Sequence, residues 1–184
     1  MENDIPSTSR CGKPVEPSEH RYRELKSLSR QRLRLIWEMA QMGVVPNDED
    51  AVLVQALREH PEYYEIWDQV DELSDEELIQ DGVNPILHVT IHQTIENQLA
   101  AKDPPVVHET LERLMRSGLS RHEAIHAIGS VLSVEIWEIL KEDRPFDEER
   151  YERGLRQLDA REWAPARSRR RRVKKAKRKR RRKR

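Results

Sequence analysis

The sequence predicts an all-α protein, a compact bundle of six to eight helices with a disordered N-terminal lead and a basic C-terminal tail. Three observations lead there. Apolar residues recur at helical spacing through residues 18–160. The segments that carry them are separated by short breaks with recognisable helix starts and stops. No stretch of alternating β-branched residues between turns marks a strand. Short connections favour antiparallel neighbours in such a bundle.

Residues 1–17 hold Pro6, Pro14 and Pro17 among Ser, Thr and Gly, and are expected to be disordered. Ser18 precedes the first helical pattern, with Leu25, Leu28, Leu33, Leu35, Ile36, Trp37 and Met39 as its expected buried positions and Gly43 as its stop. Asn47 can cap the next helix, whose apolar positions are Val52, Leu53, Ala56 and Leu57. His60-Pro61 is a break, with Pro61 suited to the first helical position of a segment carrying Tyr63, Tyr64, Trp67 and Val70. Ser74 and Glu77 form a capping-box pattern for a short helix that ends by Asp81-Gly82. Asn84-Pro85 opens a helix to about Ala101, and Asp103-Pro104-Pro105 breaks the chain. A helix through Val107, Leu111 and Leu114 stops at Gly118, and Ser120 opens another that runs past Trp137 and Leu140. Asp147 caps a last helix with Tyr151, Leu155 and Leu158.

Composition divides the chain into an acidic body and a basic tail. The 34 Lys and Arg balance 34 Asp and Glu, but 15 of the basic residues lie in 167–184, leaving 19 basic against 34 acidic before them. The organisation expected is therefore a lead over 1–17, a helical domain over 18–160 and a tail over 161–184. The single cysteine, Cys11, allows neither a disulfide framework nor a cysteine-based zinc site within the chain. No apolar run approaches the ~20 residues that span a bilayer, and the first residues lack the apolar core of a secretory signal. A cytoplasmic location is the expectation.

Two histidine pairs carry the functional signal. His88 and His92, and His122 and His126, are each spaced i, i+4, so each pair shares one face of its helix, roughly 40° apart. Both faces also carry core-like residues: Ile95 and Leu99 on the first, Gly129, Ser133 and Trp137 on the second. Antiparallel association of the two helices would converge the four rings, and neutral imidazoles with a carboxylate or water suit zinc or iron. The dipole at the start of the second helix favours neutral His122, the form a metal needs. Glu96, one turn beyond His92, is the candidate carboxylate ligand, weighed against a plain solvated face. Glu138 points elsewhere. His20, His60 and His108 lack helical partners and read as surface or turn residues.

His122, Glu123 and His126 also match HExxH, in which the Glu would be the general base of a zinc peptidase. Ser120 with Glu123 equally matches a capping box, no third histidine follows at metzincin spacing, and no edge strand is predicted to hold a peptide. Packed core histidines without any metal are the plain alternative.

The run from His60-Pro61-Glu62-Tyr63, through Asn84-Pro85 with His88 and His92, to His122-Glu123-Ala124, His126 and Trp137-Glu138, resembles an uncharacterised bacterial family, domain of unknown function 1841, over about residues 30–158. The resemblance implies a compact helical protein and no particular activity. Its members read HPEYH where this chain ends on Tyr64, so no ligand is expected at that position.

Arg169, Arg170, Arg171, Arg172, Lys174, Lys175, Lys177, Arg178, Lys179 and Arg180 lead a nearly continuous cationic block to Arg184. Such a block is disordered when free and neutralises RNA or DNA phosphates with little sequence discrimination. It has no aromatic to stack on bases and only Val173 and Ala176 as apolar members, which also argues against membrane insertion. The competing reading folds it back on the acidic body, and an anionic membrane surface is a third. The sequence thus leads to a metal-binding helical domain tethered to nucleic acid. A metal-dependent hydrolase or oxidoreductase and a metal-free interaction protein are the alternatives.

Overall fold

Local signals set most helix boundaries in the computed structural model, which describes residues 19–44 and 48–163. The helices are α1 (Glu19–Gln41), α2 (Asp48–Arg58), α3 (Tyr64–Trp67), α4 (Asp75–Leu78), α5 (Pro85–Ala101), α6 (Pro105–Arg116), α7 (Arg121–Glu142), α8 (Glu148–Gln157) and α9 (Ala160–Trp163), with a 3-10 turn at Pro61–Tyr63. The all-α class holds. Three of the helices are single turns, α3, α4 and α9. Among the described residues the only β pairing is an isolated bridge between Gln80 and Val83. No helix there is long and apolar enough to cross a membrane. The lead, Ser18, Asn47 and the cationic block lie outside the described residues, as do the side chains of His20 and Leu25.

Asn84 Oδ1 accepts from the backbone N–H groups of Ile86 and Leu87, and Pro85 occupies the position where a missing N–H costs nothing. Ser120 and Glu123 form a full capping box at the start of α7, as Ser74 and Glu77 do for α4. Gly43, Gly82 and Gly118 all take positive φ at the predicted stops.

The core is in two parts. Leu33, Ile36, Trp37, Val54, Leu57, Trp67 and Val70 gather the N-terminal helices. Val106, Leu111, Leu114, Ile125, Ile128, Tyr151 and Leu155 gather α6, α7 and α8. Helix α5 serves both, giving Val89 to the first cluster and Ile91 and Ile95 to the second. At Gly129 a Cβ would stand 2.9 Å from Ile91 Cγ2, so glycine is what lets α7 come this close to α5.

Some expected core positions are on the surface. Leu28 and Leu35 are more than half exposed, because among its described side chains α1 buries the face of Leu33, Ile36, Trp37 and Ala40. Trp137 is also more than half exposed, as are Val134 and Leu140: beyond Leu132 the bundle covers α7 on the face of Glu135 and Ile136 and leaves the opposite face open.

Candidate metal centre

Five histidines meet where the two core clusters join. The i, i+4 pairs come from the start of α5, His88 and His92, and the start of α7, His122 and His126. The fifth is His60, which the sequence reading placed at the surface or in a turn. It does follow α2 in a turn, but it is wholly buried at the centre of the cluster. The physical reason is a bond its sequence neighbourhood does not advertise: His60 Nδ1–H donates to Ala56 O at 2.7 Å, folding the ring back along α2 and turning Nε2 inward.

Nine of the ten ring pairs have centroids between 4.2 and 5.5 Å apart, with His122 and His126 the nearest. His60 Nε2 lies 2.8 Å from His88 Nε2 and 3.2 Å from His126 Nε2. With the His60 proton on Nδ1, its Nε2 offers one in-plane lone pair, which cannot accept fully from two neighbours. His92 Nε2 is buried with no hydrogen-bond partner among the described residues. An unmet buried nitrogen costs about 1–3 kcal/mol.

His60, His88, His92 and His126 each bring one ligand atom within 4.8 Å of all the others. The nitrogen separations about His60 are near the roughly 3.3 Å edge of a tetrahedron built on Zn–N bonds of ~2.0–2.1 Å. A divalent cation would satisfy the crowded nitrogens and the orphan together. The Ala56 carbonyl would then be the outer-shell acceptor that orients a ligating imidazole.

Burial, reinforced by the neighbouring rings, holds these imidazoles neutral. His88 and His126 are lowered to about 4 and His92 to about 2, and His60 is lowered as well, chiefly by burial. Neutral imidazole is the ligating form. Burial raises the Glu59 carboxyl, but hydrogen bonds from Gln55 and His122, with the charges of His122 and Arg121, outweigh it and leave its pKa lowered.

Glu96 is turned away from the cluster, its two oxygens taken by the Arg121 guanidinium, with Arg121 Nη2 2.6 Å from Oε2. The carboxylate at the cluster is instead Glu59, whose Oε2 accepts from His122 Nδ1 at 3.1 Å. Glu59 and His60 are consecutive at the end of α2, so the turn the sequence marks with Pro61 delivers both. Glu123 Oε2 is held by Ser120 N at 2.8 Å and Ser120 Oγ at 2.9 Å, so its role here is the cap. His108 is an exposed residue near Glu112, as read. A cavity of about 440 Å³ opens on His88, His92 and His126, with Leu87, Ile91 and Trp163 among its walls.

These features define an all-α protein with a buried polyhistidine cluster at a helix junction. Residues 26–157 match the family model described as domain of unknown function (DUF1841), and the chain belongs to that family. No curated protein and no solved structure matches the chain.

Proposed function

We propose that the protein binds one divalent cation of borderline character, zinc or ferrous iron, on His60, His88, His92 and His126. The observation that carries the reading is the convergence of the His60, His88 and His126 Nε2 atoms beside the unpartnered His92 Nε2. Four imidazoles complete a tetrahedral shell, the arrangement of cations that hold structure together rather than turn over substrate. Its ligands come from the turn after α2 and from α5 and α7, so binding ties both core clusters to one point.

Protein purified without a histidine tag, then assayed for metals, tests this. About one equivalent per chain is expected, with a fall in Tm on chelation, since ligand at ~100 Kd adds ~2.7 kcal/mol. A metal content below ~0.1 equivalent and a Tm indifferent to chelator would reject it.

The cavity supports a second reading, metal-dependent catalysis. It reaches three of the four histidines, so with one coordination position left open towards it a small substrate with an apolar body would lie against the cation, which would act as a Lewis acid. Glu123 is a poor general base in that scheme because its carboxylate is committed to Ser120.

For the cationic block, the proposed partner is the phosphate backbone of RNA or DNA, on the strength of 15 basic residues and no acid in 167–184. Comparing the full chain with one ending at Pro165 should show weaker, less salt-dependent binding in the shorter chain. Equal affinities across salt would remove the tail from the interaction.

A further inference from the structure

Four imidazoles leave one histidine and one carboxylate of the cluster without an assignment. Glu59, His92 and His122 also bring one ligand atom each within 4.8 Å of one another. The His122 and Glu59 side chains are 34% and 33% exposed, whereas His60 is 0% and His92 2% exposed. A carboxylate with imidazoles at a solvent-facing position suits a cation that still carries water.

His92 belongs to both groups. A neutral imidazole has one nitrogen with a free lone pair, so His92 completes one group at a time and the two groups are alternatives for a single cation. The surrounding charge favours arrival on this side. Glu59 and Glu62 both act on His60 as negative charges, and Glu62 does so on His126. Arg121, the cation that acts on Glu59, is itself paired with Glu96, which offsets its charge in part. The cavity side, walled by Leu87, Ile91 and Trp163 with Asn84, Ser130 and Ser133, holds no carboxylate, so nothing there attracts a hydrated dication as Glu59 does.

We infer that Glu59, His122 and His92 form an outer landing site that takes a divalent cation from solvent and passes it to the His60–His88–His126 cluster by ligand exchange, with His92 common to both positions. The transfer leaves the oxidation state unchanged. Water departs as nitrogens arrive, and the His122 proton now directed at Glu59 moves to the other ring nitrogen when Nδ1 ligates. The inference rests on the inner four-histidine reading.

The test uses the full chain, Co²⁺ as the probe, stopped-flow visible absorbance for uptake and a competition titration for equilibrium affinity. Glu59→Gln and His122→Gln should each slow uptake by about tenfold or more, with affinity held within about threefold and one Co²⁺ per chain. His60→Gln should instead collapse the affinity itself. Unchanged uptake rates in both outer variants would overturn the landing site while leaving the inner site standing. So would an affinity loss as large as the rate loss, which would make Glu59 and His122 permanent ligands, or two Co²⁺ per chain. A wild-type chain that takes up no Co²⁺ would overturn both.

Discussion

At the scale of single residues, His60 decides whether the cluster is a site or a coincidence of packing. Its Nδ1 proton is fixed by Ala56 O, so its Nε2 must face His88 and His126 as an acceptor. Removing that nitrogen removes a ligand and leaves two imidazoles without their common focus. His60→Gln is expected to weaken zinc binding by about 100-fold or more in a competition titration against a chromophoric chelator. His108→Gln, at an exposed position beside Glu112, should leave the titration unchanged and serves as the control. Glu123 is the other informative single residue. Its side chain accepts from Ser120, and an amide oxygen can keep the backbone part of that bond. Glu123→Gln should therefore shift stability by less than ~1 kcal/mol, whereas Ser120→Ala should cost about 1 kcal/mol in urea unfolding. A metal-dependent activity abolished by Glu123→Gln at unchanged stability would instead favour the catalytic reading.

At the scale of elements, the contact between α5 and α7 sets the reach of their histidines. Gly129 stands against Ile91, one residue from His92, so a methyl at 129 must push the two helices apart or force Ile91 from its rotamer. Gly129→Ala should cost about 1–3 kcal/mol by overpacking, and should weaken metal binding although residue 129 is no ligand. The limits of the sequence reading show at this same junction. Helix starts at Asn84-Pro85, Ser120 and Asp147 were legible because capping is a local exchange between a side chain and the next few N–H groups. The two i, i+4 pairs were legible because helical periodicity alone puts their members on one face. His60 and Glu59 were not, since a residue in a turn has no periodic face and only tertiary contact fixes its direction. Pro61 marks the turn within His60-Pro61-Glu62-Tyr63, but nothing local says that the ring swings inward. Glu96 misled for the same reason: its angle on α5 was compatible with the cluster, and Arg121 on another helix claimed it. Trp137 shows the converse, an apolar residue in register with the histidines on a stretch of α7 whose covered face is that of Glu135 and Ile136.

Across the whole molecule, the histidines sit at the seam between two apolar clusters, a position where the orphaned His92 nitrogen and the crowded His60 Nε2 are costly to the fold without a cation. That cost has a pH signature. In the metal-free chain, burial holds His88 and His126 near 4 and His92 near 2, below the ordinary value of 6.5. Between pH 6.5 and about 4 the unfolded chain therefore binds more protons than the folded one. Stability is complete above that window and falls as pH drops through it, by up to ~1.4 kcal/mol per pH unit for each such histidine. Chelated protein followed by circular dichroism should lose helix within this window, at a pH higher than carboxylates alone would give. His92→Leu separates the two demands on the cluster. It removes the orphaned Nε2 and one buried group that must lose its proton on folding, and it replaces them with an apolar side chain that suits the site. The metal-free variant should unfold at lower pH than the metal-free wild type, with a shallower dependence, and should have lost tight zinc binding. A variant more stable without metal and unable to hold it would mean that His92 is kept for the cation and not for the fold. If His92→Leu instead destabilised the metal-free protein, the ring would be a structural member of the core, and the case for the cation would rest on the metal content alone.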